Sequence, residues 1–254
     1  MGIFIYKNEQ LKKIERSCSI TANILDELEA IIVEGISTFE IDLHARKLLK
    51  ENNVQGAFLG YGGFPAAVCT SVNDEVIHGI PSRKTVLKSG DIVGLDFGVI
   101  CDGFFGDSAR TIVVGDIDSS VEMLLRVTKE SLYRAIAAAK VGNRISDISH
   151  SVESYVQQYG FSTVKEFSGH GIGRSLHEEP SIPNYGKPNR GPRIANGMVF
   201  AIEPMINQGT DQVDILDDDW TVVTRDGKYS AHFEHTVAIV DGEARILTKG
   251  KKFR

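Results

Sequence analysis

A long helix, a short helix and a set of strands occur twice in this chain, 107 residues apart, and that repetition constrains the fold more than any other feature. In the first copy Leu11, Ile14, Cys18, Thr21, Leu25, Leu28 and Ile32 recur at steps of three and four, lining one face of a helix. Gly35 ends it. A shorter helix is expected from Ser37, where Glu40 completes a capping box, and Ile41, Ala45, Leu48 and Leu49 carry its apolar face to Asn52-Asn53. In the second copy Ser119 and Glu122 read as another capping box, and Val121, Leu124, Leu125, Thr128, Leu132, Ala135 and Ala139 mark the long helix. Gly142 ends that one, and Ile148, Val152, Tyr155, Val156 and Tyr159 mark the short one. Sliding the chain by 107 places Gly35 on Gly142, Glu40 on Asp147, Ile41 on Ile148, Leu48 on Tyr155 and Leu25 on Leu132. Identity across these pairs is low, but lengths and break points agree. The expectation is one domain over 1–254, an internal duplication with halves at about 9–115 and 116–248, rather than two unrelated helical hairpins.

Strands are expected after each helix pair. Residues 91–98 and 104–114 alternate or run apolar about Cys101-Asp102-Gly103, where Asp-Gly signals a hairpin turn. Residues 197–206, 220–224 and 232–240 read as later strands, with a turn at Asp226-Gly227; 180–196, rich in Pro, Gly and Asn, reads as a loop and 249–254 as a solvated tail. A formal charge of −6 argues against a nucleic-acid footprint, which is normally basic. Cys18, Cys69 and Cys101 lie far apart with no CxxC spacing, which excludes a disulfide framework and a thiolate zinc knuckle and fits a reducing compartment. No apolar run approaches the roughly 20 residues of a membrane helix. The opening MGIFIYKNEQ lacks the basic region and small-residue cleavage site of a signal peptide, so a cytoplasmic location is expected.

The strands contain acids where apolar residues belong. A two-residue turn at Asp102-Gly103 puts Asp96 opposite Ala109, so that Asp107 is its diagonal neighbour on the same face, within roughly 7–8 Å. Two carboxylates in an apolar sheet repel one another and lose hydration unless cations lie between them. Glu203, within VFAIEPMI, and Glu234, within FEHTVAIV, repeat the anomaly. His170 stands in SGHGIG, where glycines let a ligand approach the backbone. Carboxylate oxygens with an imidazole suit a pair of borderline divalent cations about 3.5–4 Å apart, and such a pair activates water, which implies hydrolysis. His78 and His177 fit hydrogen bonding to substrate and to a developing oxyanion. His44, His150 and His232 read as structural or surface residues, and His235 as structural.

These segments resemble the type I methionine aminopeptidases. VNDEVIHGIP, LDFG with DGFFGDSART, SGHGIG with LHEEP, GMVFAIEP and FEHTVAIV follow the order found in that family, over nearly the whole chain to about Thr248. The resemblance implies an α+β pita-bread fold, in which two pseudo-symmetric halves with antiparallel sheet and two helix pairs enclose a dinuclear site. It implies Asp96, Asp107, His170, Glu203 and Glu234 as ligands of two divalent ions (Mn, Fe, Co or Zn), with Asp107 and Glu234 bridging. It also implies removal of the initiator methionine before a small second residue by a hydroxide bridging the ions, with Glu203 shuttling the proton and His78 and His177 contacting substrate. Phe58, Tyr61, Phe64, Cys69, Leu176 and Trp220, with His78 and His177, match the substrate pocket. The chain departs from better-known bacterial members at Phe58, Gly62 and Leu176, where Cys, His and Phe are frequent. A monovalent-cation site near Asn73 and Ser230 is implied too, as are nascent chains at the ribosome as partners, a monomeric state, and no membrane or nucleic-acid binding.

Two other readings share parts of this pattern. Aminopeptidase P and prolidase relatives use the same five ligands to cleave beside proline, but usually carry a sizeable extra N-terminal domain. Non-catalytic pita-bread proteins have lost ligands, whereas all five positions here keep competent side chains. The absence of a zinc-binding N-terminal extension and of a long C-terminal insertion points to the bacterial type.

Overall fold

The computed structural model describes residues 2–250, so most of the expected tail at 249–254 lies outside the described residues. Two helix pairs form: α1 (Asn8–Ala30) with α2 (Thr38–Glu51), and α3 (Ser119–Ala138) with α4 (Ile145–Val156). The long helices stop short of Gly35 and Gly142, which lie in the connecting turns. At α2 the capping box closes as expected: the Glu40 carboxylate accepts from the Ser37 N–H at 2.9 Å, and the Glu40 N–H donates to Ser37 Oγ at 3.3 Å. At α4, 107 residues on, Asp147 accepts from the Arg144 N–H at 2.7 Å. The isolated bridges Ser37–Val86 and Arg144–Arg193 are likewise 107 apart at both ends (144 − 37 and 193 − 86). The expected box at Ser119 does not form. Asp118, itself a cap-competent residue, takes the N-cap, so Ser119 is already helical and Glu122 falls one position beyond the box.

The first half contributes β1 (Gln55–Gly56), β2 (Cys69–Val72), β3 (Glu75–Ile77), β4 (Ile92–Cys101) and β5 (Phe104–Val113). The second contributes β6 (Ser162–Thr163), β7 (Ser168–Gly171), β8 (Glu178–Pro183), β9 (Val199–Ile202), β10 (Met205–Asn207), β11 (Val213–Ile215), β12 (Val222–Thr224), β13 (Ser230–His232), β14 (His235–Val240) and β15 (Glu243–Ile246). Every pairing is antiparallel. β4 pairs β5 along one edge and β1 and β2 along the other, and β15-β14-β9-β7-β8 form a five-stranded sheet. The β4–β5 register is the expected one, with Asp96 opposite Ala109 and Gly98 opposite Asp107. Asp102 (φ 52°) and Gly103 (φ 76°) both adopt the left-handed turn backbone that this hairpin geometry needs.

Three strand expectations are corrected. The stretch 197–206 splits into β9 and β10 at Glu203-Pro204, because proline has no N–H to continue the ladder. The stretch 232–240 splits into β13 and β14 at Phe233-Glu234, where the Glu234 N–H leaves its own sheet to bond the Ala109 carbonyl of β5 at 2.8 Å. The supposed loop 180–196 begins inside β8, an edge strand whose Pro180 and Pro183 suit an edge and obscured it in the sequence.

Each helix pair covers its own sheet. Leu25, Leu28, Ile41 and Leu48 pack on Val93, Leu95 and Phe97, and Leu132, Ile148 and Val152 pack on Phe200, Ile202 and Val237. Phe97 and Phe200 are fully buried, a burial that contributes roughly 2–3 kcal/mol each. The α1 backbone lies directly on β5 at Gly106, where a Cβ would come within 2.5 Å of the Cys18 nitrogen. Side-chain hydroxyls then stitch the halves together. Ser108 Oγ donates to the Glu234 carbonyl at 2.8 Å, Thr236 Oγ1 to the Asp107 carbonyl at 2.7 Å, and Thr111 Oγ1 to the His232 carbonyl at 2.9 Å. This seam brings β5 of one half against the β13–β14 junction of the other, and with it Asp107 against Glu234.

Candidate active site

One cavity of about 110 Å³ opens at the seam. Its walls are Phe58, Tyr61, Phe64, Cys69, His78, Asp96, Asp107, His170, Leu176, His177, Glu203, Trp220 and Glu234, so the structure brings all the singled-out site residues together. Asp96 and Asp107 project from β4 and β5, and His170 from β7. Glu203 and Glu234 stand at the two strand breaks, where leaving the ladder turns both carboxylates inward.

The acidic wall is buried and crowded. One ligand atom each of Asp107, His170 and Glu234 lies within 4.8 Å of the other two. His170 Nε2 lies 3.4 Å from one Glu203 oxygen. Burial pushes the Asp96 carboxyl up to about 7 and Glu203 up to about 8. Burial also raises Asp107 and Glu234 well above the usual carboxylate range, reinforced by the charges of Asp96 and Glu203 on Asp107 and of Asp107, Glu203 and Asp96 on Glu234. Asp96 Oδ1, Asp107 Oδ1 and Glu234 Oε1 are buried with no hydrogen-bond partner. Unpartnered carboxylate oxygens lining one cavity fit divalent cations, which supply the missing positive charge. His170 completes the set. Its Nδ1 sits 2.9 Å from the Gly171 carbonyl, so the N–H resides there and the Nε2 lone pair faces the carboxylates.

The opposite wall is apolar and aromatic. Trp220 packs edge-on against Phe64 with ring centroids 5.1 Å apart, and Phe58, Phe64, Cys69 and Leu176 are buried. A Cβ at Gly62 would lie 3.2 Å from the Trp220 ring, so the glycine found here in place of a larger residue leaves the indole its room. His78 adopts φ 59°, rare for a side-chain-bearing residue. There it stands edge-on to Trp220 and Phe167, and burial lowers its imidazole to about 4. His177 lies between the walls: its ring centroid is 4.3 Å from that of His170, and the Tyr61 hydroxyl reaches its Nδ1 at 2.6 Å. Burial holds His177 below the ordinary imidazole value, keeping it neutral.

His232 corrects the sequence reading. It ends β13 rather than opening a strand, is 3% exposed, and its Nε2 lies 3.4 Å from the second Glu203 oxygen, behind the acidic wall. Its spacing of two from Glu234, which places alternate strand residues on one face, was the available signal. Phe167 was also missed, and nothing in its local sequence marks it. His235 is structural, buried against Thr248 Oγ1 at 2.9 Å. Asn73 and Ser230 are adjacent but engaged with protein: the Ser230 N–H donates to the Asn73 carbonyl at 2.9 Å, Ser230 Oγ to Asn207 at 2.8 Å, and Asn73 Nδ2 to Asp91 at 2.8 Å.

Residues 12–241 match metallopeptidase family M24. The chain is 46% identical to a methionine aminopeptidase from Clostridium acetobutylicum over 246 residues, covering 97% of this chain and 98% of that one. In three dimensions it is similar to the crystal structure of methionine aminopeptidase from Thermotoga maritima (TM-score 0.96, 42% identity), with 98% of this chain and 100% of that chain covered. It is also similar to a prolidase from Pyrococcus furiosus (TM-score 0.80, 25% identity), with 98% of this chain covered but 66% of that one. The fold is thus the α+β pita-bread arrangement.

Proposed function

The chain belongs to metallopeptidase family M24, and on that premise we propose that it is an aminopeptidase removing the N-terminal methionine from polypeptides whose second residue is small. One observation carries the reading: a single cavity sets a buried carboxylate–imidazole cluster against an apolar wall, so a side chain bound on one wall lies beside the chemistry of the other. Identity favours methionine over proline-directed cleavage, at 46% with the Clostridium aminopeptidase against 25% with the Pyrococcus prolidase.

Asp96, Asp107, His170, Glu203 and Glu234 would hold two divalent ions from the set Mn, Fe, Co and Zn, which when bound polarise a carbonyl and make water nucleophilic at neutral pH. The protein's own groups do the rest. Phe58, Tyr61, Phe64, Cys69, Leu176 and Trp220 take up the methionine side chain and exclude water from the scissile bond. With the Tyr61 hydroxyl donating to Nδ1, His177 keeps its proton on Nε2 and offers it to the oxygen of the scissile carbonyl as negative charge develops there. His78, neutral through burial, donates to the substrate backbone. Glu203 takes the proton from the attacking water and passes it to the leaving amine. Nascent chains met at the ribosome are its partners, and it acts in the cytoplasm as a monomer. The two halves, about 9–115 and 116–248, are a duplicated unit within one domain; the matched bridges 107 residues apart support this.

The test is hydrolysis of Met-Ala-Ser against Ala-Pro-Phe by protein stripped of metal and refilled with Mn²⁺ or Co²⁺. Metal-dependent release of Met alone is the expected result, and Glu203→Ala should lose at least about 10³-fold in kcat, the scale of a lost general base with its metal contact. Release of Ala from the second peptide would place the protein with the proline-directed enzymes.

A further inference from the structure

The connection from Gly173 to Glu178 links β7 to β8 and carries both Leu176 and His177 into the cavity. Few backbone bonds tie it down: Phe105 N–H donates to the Gly173 carbonyl at 2.8 Å, and Gly173 N–H to the Ser175 carbonyl at 3.1 Å. Side chains add the rest: the Tyr61 hydroxyl on His177, the His177 ring against His170, and above all the Glu178 carboxylate. Glu178 folds back over the connection and accepts from the Arg174 N–H at 2.8 Å and the Ser175 N–H at 3.0 Å.

Tyr6 holds that carboxylate. This residue lies ahead of α1, in an opening segment that no part of the proposed reaction uses. Its hydroxyl donates to Glu178, 2.7 and 2.8 Å from the two oxygens, and accepts from the Arg174 N–H at 3.0 Å. Burial and the Glu178 carboxylate push the Tyr6 phenol well above its ordinary value, so it remains a donor at any pH the protein meets. The ring is 3% exposed, stands edge-on to Phe104, and fills the space over Gly173, where a Cβ would lie 2.3 Å from it. Its own backbone is anchored, with Tyr6 N–H donating to the Gly197 carbonyl at 2.7 Å.

We propose that Tyr6 is a positioning residue for the hydrolysis: through Glu178 it locks the 173–178 connection so that His177 faces the scissile carbonyl and Leu176 closes the methionine pocket. A charge-assisted hydrogen bond is about twice as strong as a neutral one, and a displacement of the order of 1 Å at a catalytic group costs up to about 10²-fold in rate. The inference rests on the aminopeptidase reading for the role of His177, not for the lock itself.

Tyr6→Phe keeps the ring and removes only the hydroxyl. The variant, refilled with Mn²⁺ and assayed on Met-Ala-Ser well below its melting temperature, should lose about tenfold in kcat, with KM moving less than about threefold. In a His177→Ala background the same change should cost less than about twofold, because the group it positions is gone. Amide exchange across 173–178 in the metal-free protein should quicken about tenfold. An equal tenfold loss in both backgrounds, or unchanged exchange, overturns the proposal. If Tyr6→Phe does not fold, Glu178→Gln, which keeps one acceptor oxygen, gives the same readouts. Wild-type protein that releases no methionine defeats the enzymatic reading while the exchange measurement still decides on the lock.

Discussion

The two walls of the cavity are built from different materials. Asp96, Asp107 and His170 stand on ladder strands, with Glu203 and Glu234 one residue beyond strand ends, so backbone hydrogen bonds set their spacing. Phe58, Tyr61, Phe64, Leu176, His177 and Trp220 stand on connections, with Cys69 the one strand residue among the apolar lining. Binding an ion or moving a proton demands placement to within about 0.5 Å, which sheets provide. An apolar pocket needs only volume and shape, which loops supply and can vary. The acidic, metal-holding groups are thereby decoupled from side-chain preference, while His177 is the reacting group that a connection carries.

The sharpest way to break this comparison is one atom on the acidic wall. Asp107→Asn conserves shape but removes a charge from the candidate metal-holding group. It is expected to lower kcat/KM by at least about 10³-fold and to weaken Mn²⁺ binding measured by calorimetry. A loss below tenfold would mean that the acidic wall is no more demanding than the other. Trp220→Ala on the loop wall should act differently: about a tenfold rise in KM for methionyl peptides, with kcat within about threefold and metal binding unchanged. A collapse of kcat there would show the walls to be coupled.

The smallest effect concerns stability without metal. Asp96 is held up to about 7 and Glu203 up to about 8 by burial, against about 4 in the unfolded chain. As pH rises between these values the unfolded chain releases protons that the folded one keeps, so folded stability falls. Between pH 7 and 8, above the range in which the depressed imidazoles of His78, His170 and His235 add the opposite slope, the metal-free protein should therefore melt lower at the higher pH, by about 2–4 °C for each kcal/mol lost. Glu203→Gln should flatten that slope and Trp220→Ala should leave it intact. A slope unchanged in Glu203→Gln would place the titration elsewhere.

Much of the acidic wall was legible because its signals are local. Alternation with a two-residue Asp-Gly turn fixes which residues of β4 and β5 share a face, and that alone pairs Asp96 with Asp107. The loop wall followed from resemblance and not from periodicity, since aromatic residues on connections have no repeat to betray them. His232 shows the limit. Read as the opening of a strand, His232 counts as structural or surface until β13 is seen to end there, with its imidazole against Glu203. Tyr6 was invisible for the same reason, its partner lying 172 positions away.

What this sequence determined by itself is everything governed by neighbours a few residues apart: the helix pairs and their offset, the hairpin register, and the acids out of place in apolar strands. Only the tertiary structure decided that the ladders would break at Glu203 and Glu234, that hydroxyls of Ser108, Thr111 and Thr236 would stitch the halves, and that Tyr6 would grip the His177 connection. Those outcomes depend on which backbone groups find partners across the seam. A buried N–H or carbonyl must be paired, but the sequence does not say with which distant residue.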